Sequence, residues 1–168
     1  TSDPLFAKML PYSVVPLTNI LVNTSFEGTN WQTPWIFEVK SSSAGGTVSK
    51  STSTYKVGTS SARLNITRTN GTYWHIQFRQ HNVSLVANTK YTISFWAKAS
   101  NTRNIQTVIQ KNYGSFSELS NITTSLNNTW KYVTYEFTPT VSDNNLLFTF
   151  NAGNALGQVW LDDVRISY

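Results

Sequence analysis

The sequence contains no cysteine among its 168 residues. Disulfide frameworks and thiolate zinc sites are therefore excluded, because both need cysteine. Long apolar runs are also missing, since none approaches the roughly 20 residues that a membrane-spanning helix requires. No signal peptide is recognisable, and because the chain begins at Thr1 we expect it to be a fragment of a longer protein.

Charged residues are scarce, at 12% of the chain, and the net charge is +5. A basic protein can bind nucleic acid when its cations cluster on one face. Here the lysines and arginines are scattered from Lys8 to Arg165 without a cluster. We therefore expect neither a nucleic acid nor a membrane as a partner.

The chain is rich instead in asparagine, serine and threonine, and aromatic residues make up 14% of it. Its length is typical of one domain that buries its own core without disulfides. A polar but uncharged surface with many aromatics is typical of extracellular proteins that contact carbohydrate. We accordingly expect a secreted bacterial protein, and a monomeric module within a multidomain chain.

The first 16 residues differ from the rest. They include three prolines, Pro4, Pro11 and Pro16, and the apolar residues among them follow neither a helical nor a strand period. We interpret residues 1–16 as a linker or the tail of a preceding domain, although the apolar stretch from Leu5 to Tyr12 equally fits an ordered strap. Residues 17–168 then form one β-module.

From residue 17 onward, short β-type runs alternate with turn signals rich in serine, glycine and asparagine. No segment keeps apolar residues at helical spacing for three turns. This pattern predicts an all-β sandwich, and the number of strands favours a jelly roll of two antiparallel sheets. Strands are predicted near residues 19–23, 34–40, 45–50, 61–68, 72–81, 90–99, 103–112, 130–138, 145–151 and 157–167.

Residues 72–81 carry the most informative pattern. Side chains on a strand alternate between two faces. One face of this segment is apolar and carries Trp74, Ile76 and Phe78, so we assign Trp74 to the core. The other face carries planar hydrogen-bonding groups that suit the hydroxyls of a sugar chain, from Tyr73, His75, Gln77, Arg79 and His81.

Four segments together resemble the carbohydrate-binding modules of families 4, 9, 16 and 22, which are appended to cellulases, xylanases and mannanases. They are Asn19–Gly28 (NILVNTSFEG) with the following Trp31, Asn88–Ala99 (NTKYTISFWAKA), Trp130–Thr138 (WKYVTYEFT) and Val159–Ile166 (VWLDDVRI). The resemblance covers residues 17–168. It implies a jelly roll whose concave sheet carries a cleft for the ligand.

The resemblance also implies a structural calcium ion far from the cleft. The corresponding ligands here are Ser25, Glu27 and Asp162, with backbone carbonyls from residues 49–51, among which we place Lys50. Calcium takes six to eight oxygen ligands, many of them from the backbone. The alternative is that Glu27 and Asp162 are ordinary turn carboxylates.

The six tryptophans cannot all contact a sugar. The family places an aromatic at the edge of the cleft near Trp31 and Trp35, and we favour Trp35 because Trp31 matches a buried family position. Trp96 lies on the polar face of its strand and either lines the cleft or is buried. Polar candidates are Gln106 and Gln110, opposite Ile105 and Ile109 on one strand, with Tyr113 and Phe116 in the next loop.

These residues predict a non-catalytic module that binds single chains of a plant cell-wall β-glycan and targets an appended glycoside hydrolase to it. Glycoside hydrolysis needs two carboxylates across a cleft, and the eight acidic residues show no paired placement. A nucleophile elbow, a P-loop and a zinc motif are absent. One alternative is a small jelly-roll polysaccharide lyase using Arg79 with His75 or Tyr73, and another is a structural or adhesion module.

Overall fold

The computed structural model of the protein describes residues 18–168. The segment that we interpret as a linker or strap, residues 1–16, lies outside them. Strands account for most of the described chain, and no described residue belongs to an α-helix. Consequently none of these residues forms a helix long and apolar enough to cross a membrane.

Ten strands follow one another along the described chain, and a single 3-10 turn at Tyr73–His75 precedes the fourth. The strands are β1 (Ile36–Val39), β2 (Gly45–Ser51), β3 (Ser61–Arg68), β4 (Ile76–Leu85), β5 (Tyr91–Ala99), β6 (Arg103–Lys111), β7 (Glu118–Leu126), β8 (Lys131–Phe137), β9 (Asp143–Asn151) and β10 (Gly157–Ser167).

The strands form two antiparallel sheets of five strands each, which confirms the predicted jelly roll. The front sheet has the order β1-β4-β9-β6-β7, and the back sheet has the order β2-β3-β10-β5-β8. The chain crosses between the sheets repeatedly and stays within one sheet only from β2 to β3 and from β6 to β7. The apolar faces of the two sheets pack against each other. This leaves one outer face on each sheet for solvent or a ligand.

Two strand predictions were wrong. Residues 19–23 form only an isolated bridge between Asn19 and Ser167. The prediction also missed β7, whose sequence ELSNITTSL holds few apolar residues. This strand lies at the edge of the front sheet, where it pairs only with β6, so most of its side chains remain exposed. A half-solvated edge strand lacks the apolar alternation by which strands are recognised.

Large aromatic side chains fill the space between the sheets, including Phe78, Phe95, Phe148 and Phe150. Trp35 belongs to this core, with only 3% of its surface exposed. Its ring stacks on Phe78 at a centroid distance of 4.8 Å, and its Nε1 donates to the carbonyl of Val22 at 3.1 Å. The prediction that Trp35 stacks on a ligand at the cleft edge was therefore wrong.

The face alternation predicted for residues 72–81 holds only from residue 76 onward. Ile76 and Phe78 are fully buried in the core. Residues 73–75 instead form the 3-10 turn, in which His75 N donates to the carbonyl of Thr72. The period of two does not apply to a turn, so Trp74 is exposed over 53% of its surface. The assignment of Trp74 to the core was wrong.

Candidate binding cleft

A concave cleft of about 610 Å³ lies on the outer face of the front sheet. Strand pairing builds its floor in rows across the sheet. Its walls come from the segment before β4 and from the loop between β6 and β7. The residues that line it are Lys40, Trp74, Gln77, Arg79, Gln106, Gln110, Asn112, Ser115, Phe116, Glu118, Leu147 and Asn151.

One row of the floor is made of amide side chains. Asn151 on β9 pairs with Gln77 on β4 and with Gln106 on β6, so the three amides are neighbours on three adjacent strands. Asn151 and Gln77 are buried, whereas Gln106 is half-buried. A parallel row further along the sheet contains Leu147 and Gln110. The cleft floor therefore offers paired donors and acceptors with an apolar patch beside them.

The carbonyl oxygen Oδ1 of Asn151 is buried and accepts no hydrogen bond from the described part of the protein. Most buried polar groups in folded proteins have a partner, because an unpaired one costs about 1–3 kcal/mol. An acceptor held in this way at the floor of a cleft is suited to a donor hydroxyl from a ligand.

The charged groups of the floor are paired with one another. Arg79 donates from Nη1 to Gln77 and from Nη2 to Glu38, and its Nε donates to Nε2 of His81 at 3.0 Å. The Lys40 ammonium lies 2.7 Å from the same Glu38 carboxylate. The hydrogen bond from Lys40, together with the charges of Lys40 and Arg79, lowers the pKa of Glu38 despite partial desolvation. Both carboxylate oxygens of Glu38 therefore carry a cationic partner.

Two aromatic rings stand at the rim of the cleft. Trp74 precedes β4, where its ring meets His75 edge-on at a centroid distance of 4.4 Å. Phe116 lies in the loop between β6 and β7, beside the opposite end of β9, and is exposed over 51% of its surface. Both rings are far more exposed than the aromatic core, so their faces are available to a ligand.

The structure brings together four of the ten predicted ligand-binding residues. Gln77, Arg79, Gln106 and Gln110 line the cleft. Tyr73 and His75 lie on the 3-10 turn but do not line it, and Nδ1 of His75 is 3.0 Å from Oδ1 of Asn70. The turn rotates these two side chains away from the face that a continuous strand would have given them.

Four predicted aromatics lie elsewhere. Trp35 is buried, and Trp31 is half-buried against the same core. Trp96 lies on β5 of the back sheet, where it contacts Tyr132 at 5.1 Å between ring centroids. Tyr113 lines a second cavity beyond the loop. The placement of Trp35 and Trp96 in the cleft was therefore wrong, whereas Trp31 and Tyr113 lie outside its lining.

Sequence reasoning missed several lining residues. The alternation in β9 showed Leu147 and Asn151 on the face opposite the phenylalanines, and this signal was sufficient to assign them to the outer face of the sheet. Lys40, Asn112 and Ser115 follow strand ends, where the sequence carries no facial period. Glu118 begins the strand that was not recognised.

The residues predicted to bind calcium lie around the contact between the segment before β1 and strand β10. Asp162 on β10 is completely buried, and no lysine or arginine lies within ion-pair distance of it among the described residues. Its Oδ2 accepts from the amides of Lys56 and Val57, each at 2.8 Å. Burial raises the pKa of Asp162 although these amides oppose the shift. This carboxylate fits a hard cation as an additional partner.

Among the other predicted ligands, Glu27 fits calcium less well than Asp162 does. Both oxygens of Glu27 accept hydrogen bonds from Thr59 and Ser60. These bonds, led by the Thr59 hydroxyl, lower the pKa of Glu27 to about 2. Lys50 has its Nζ 2.7 Å from the carbonyl of Gly28, and Ser25 is half-buried. No group of three acidic, histidine or cysteine side chains gathers at one point of the described chain.

Comparison with solved structures supports the same architecture. A CBM4 module is 28% identical, with 86% of this chain and 97% of that one covered and a TM-score of 0.71. The second N-terminal cellulose-binding domain of Cellulomonas fimi β-1,4-glucanase C is 16% identical over 92% and 96%, with a TM-score of 0.69. The CBM22-1 xylan-binding domain of Paenibacillus barcinonensis Xyn10C is 16% identical over 90% and 94%, with a TM-score of 0.65.

Among curated proteins, none matches this sequence. A family model does match, and it is described as a carbohydrate binding domain. The match extends over residues 18–157, which include the first nine strands and thus the whole front sheet with its cleft. The family is generally non-catalytic. The chain therefore belongs to the carbohydrate binding domain family CBM 4/9.

Proposed function

We propose that the cleft binds a single chain of a neutral β-linked glycan, such as β-1,4-glucan, xylan or mannan. We further propose that the domain is secreted and carries an appended glycoside hydrolase to this polysaccharide. The observation that carries the proposal is the row of amides from Gln77, Asn151 and Gln106 between the two rim aromatics.

The polar floor suits the equatorial hydroxyls of a β-pyranose. Each hydroxyl both donates and accepts, and the planar amides of Gln106 and Gln110 offer one donor group and one acceptor each. The unpaired Oδ1 of Asn151 supplies a buried acceptor in the same row. A site that hydrogen-bonds sugar hydroxyls discriminates strongly against ligands that lack them, because its polar groups would remain unpaired.

The rim aromatics suit the other surface of a sugar. The axial C–H groups of a β-pyranose form an apolar and slightly positive face, which stacks on the negative face of an indole or phenyl ring. Trp74 and Phe116 are both exposed at the rim and both line the cleft. We infer that these rings stack on the sugar chain while the amides below them form hydrogen bonds with its hydroxyls.

The charge arrangement favours a neutral ligand over an acidic one. All three nitrogens of the Arg79 guanidinium donate to protein groups, and the Lys40 ammonium is paired with Glu38. The carboxylate of Glu118 also lines the cleft. A uronate chain would therefore meet the Glu118 carboxylate and two cations that already have partners.

The size of the front sheet suits an oligosaccharide rather than a monosaccharide. Five strands spaced at about 4.8 Å span roughly 20 Å. Affinity should therefore rise with chain length until the cleft is filled. The relatives with a similar fold include modules described as binding cellulose and xylan, which makes these two polysaccharides the first to test.

Affinity electrophoresis against hydroxyethyl cellulose, soluble xylan, galactomannan and polygalacturonate tests the proposal. Retardation by at least one neutral polymer, and no retardation by polygalacturonate, is the expected result. Calorimetry with cellotetraose or xylotetraose then gives the affinity and stoichiometry. Monosaccharides that bind as tightly as the tetrasaccharides would contradict a cleft for a chain.

The lyase alternative is tested in the same samples. Elimination in a uronate polymer creates a double bond that absorbs in the ultraviolet, so absorbance growing with time in polygalacturonate would replace the binding proposal with a catalytic one. Binding of a neutral polymer without any change in absorbance supports the non-catalytic function.

We also propose a structural calcium ion beside Asp162, away from the cleft. The proposal is supported by the resemblance of the sequence to calcium-containing modules and by the burial of Asp162 without a cationic partner among the described side chains. Carbonyl groups of neighbouring backbone would supply the remaining oxygens. In this position the ion would stabilise the fold without contacting the glycan.

A further inference from the structure

A second cavity of about 420 Å³ lies beside the cleft. The loop between β6 and β7 forms one wall, and the segment between β8 and β9 forms the other. Residues that matter for its chemistry are Lys111, Tyr113, Glu118, Val141 and Asp143. Neither the amides of the cleft floor nor Trp74 belong to it.

The ring of Tyr113 is fixed in this cavity and remains accessible. Its hydroxyl donates to Oδ2 of Asp143 at 2.6 Å, and 45% of its surface is exposed. The Lys111 ammonium lies 5.4 Å from the ring centroid. A tyrosine held by its hydroxyl loses little conformational freedom when a ligand stacks on it, and this favours binding.

One turn connects the second cavity to the cleft. Phe116 N donates to the carbonyl of Tyr113 at 3.1 Å, and Lys111 N donates to the carbonyl of Ser117 at 3.0 Å, so the turn is closed by its own backbone. Phe116 lines the cleft and Tyr113 lines the second cavity, while Glu118 lines both. The turn thus presents one aromatic ring to each side, with a shared carboxylate between them.

The chemistry of the second cavity matches a sugar better than an anion or an apolar ligand. Besides the tyrosine ring it contains two carboxylates, Glu118 and Asp143, and several hydroxyl side chains. Carboxylate oxygens are strong acceptors for sugar hydroxyls. These two carboxylates outnumber Lys111, which is the one cation among the described residues lining the cavity, so the charge balance disfavours an anionic ligand.

We propose that the second cavity binds the continuation of the glycan chain that occupies the cleft, with a sugar ring stacked on Tyr113. This inference rests on the proposed function, because it needs a chain in the cleft. A chain passing Glu118 would leave the cleft beside Phe116 and reach Tyr113 across the same turn. The full binding site would then be longer than the front sheet is wide.

Calorimetry with cellotetraose, cellohexaose and hydroxyethyl cellulose tests this extension in four proteins. The variant Tyr113→Ala should lose about threefold to tenfold in affinity for the two longer ligands, the magnitude of one ring contact or hydrogen bond, and less than about twofold for cellotetraose. Trp74→Ala should weaken all three ligands. Tyr132→Ala removes an equally exposed ring on the back sheet and should weaken none.

The outcomes separate the two proposals. Equal affinity of Tyr113→Ala and the unmodified protein for cellohexaose and the polymer, with weakened binding in Trp74→Ala, overturns the extension and leaves the cleft intact. Two independent molecules of cellotetraose bound per protein also overturn it, since the cavities would then be separate sites. Both proposals are overturned if the unmodified protein binds none of the three ligands and also fails to bind xylotetraose and mannotetraose.

Discussion

Nε of Arg79 donates a hydrogen bond to Nε2 of His81, two residues further along β4, at 3.0 Å. The imidazole must therefore be neutral, with its own hydrogen on Nδ1, because a protonated ring has no acceptor. Arg79 also donates hydrogen bonds to Gln77 and Glu38. The neutral imidazole of His81 therefore helps to orient the guanidinium group, which in turn orients these polar side chains at the floor of the cleft.

The first prediction is that glycan affinity falls as the pH falls from 7 to 5. Burial and the nearby Arg79 lower the pKa of His81 below its ordinary value of 6.5, with a smaller contribution from Lys40 and with Glu38 opposing the shift. Protonation in acid removes the acceptor and places a second cation against Arg79. Arg79 and Gln77 should then no longer be held in the orientation that the glycan binds, and the affinity should decrease.

The sign for stability follows from the same shift. His81 takes up a proton at a higher pH in the unfolded chain than in the folded protein. The free energy of unfolding is therefore at its full value above the ordinary pKa of histidine, and it decreases as the pH falls towards the lowered pKa of the folded protein. Glu38 does not titrate in this window, because its pKa is lowered from 4.5. Calorimetry and thermal unfolding between pH 5 and 7 measure both effects.

Two variants isolate the histidine. His81→Gln keeps an acceptor but does not titrate, so its affinity should change less with pH than that of the unmodified protein. His75→Gln removes the only other histidine of the chain and should keep the original pH dependence. An unchanged pH dependence in His81→Gln would contradict the role assigned to His81.

The second prediction compares two tryptophans. Trp74→Ala should weaken glycan binding with little change in the free energy of unfolding, because its ring is exposed at the cleft rim. Trp35→Ala should instead cost about 3–5 kcal/mol of stability, as truncations of large core aromatics do. Urea unfolding and calorimetry on both variants measure this contrast. A large loss of stability in Trp74→Ala, with affinity unchanged, would contradict the site.

The sequence suggested the opposite roles for these two residues, and local geometry explains why. Trp74, Ile76 and Phe78 share one face only if the strand includes residue 74, but the chain enters β4 through a turn. The composition of three residues does not distinguish a short 3-10 turn from a strand end. Trp35 is buried because the chain before β1 folds back over the core, where Val22 supplies a partner 13 residues away.

The all-β architecture was predictable because most strands keep their alternation over long stretches. In β5 the residues Tyr91, Ile93, Phe95 and Ala97 are all buried, as the period of two requires. The same period correctly placed Gln77, Arg79, Gln106 and Gln110 on the outer face. Which residues meet across the sheet was not predictable, because β9, which lies between β4 and β6, begins at Asp143, dozens of residues after either strand ends.

The third prediction concerns the amide row. Gln106→Ala should reduce glycan affinity roughly threefold to tenfold with little loss of stability, since one hydrogen bond contributes about 0.5–1.5 kcal/mol. Asn151→Leu should reduce affinity by a similar factor while leaving stability unchanged or higher, because the unpaired Oδ1 is replaced by an apolar group. Stability is measured by urea unfolding and affinity by calorimetry.

A control for the amide row lies on the other sheet. Gln158→Ala changes a half-buried glutamine of β10, on the back sheet, and should leave glycan affinity unchanged. If Gln106→Ala and Gln158→Ala behave alike in every ligand, the row does not bind the glycan.

The last prediction is that chelation of calcium lowers the melting temperature without lowering glycan affinity at a temperature where the protein stays folded. An ion that binds only the folded state stabilises it by about 2.7 kcal/mol at a hundredfold excess over its dissociation constant. The melting temperature should therefore fall when EDTA is added and recover when excess calcium is restored. Elemental analysis of the purified protein should find calcium.

Two neighbouring aspartates provide the variant and its control. Asp162→Asn should lower stability, because an amide cannot accept the three backbone hydrogen bonds that Asp162 receives from Lys56, Val57 and Asp163. The variant should also lose most of its response to EDTA. Asp163→Asn changes a less buried carboxylate that pairs with Arg165 and should keep that response. A melting temperature of the unmodified protein that EDTA does not change, with no bound metal, would show that Asp162 is satisfied by backbone amides alone.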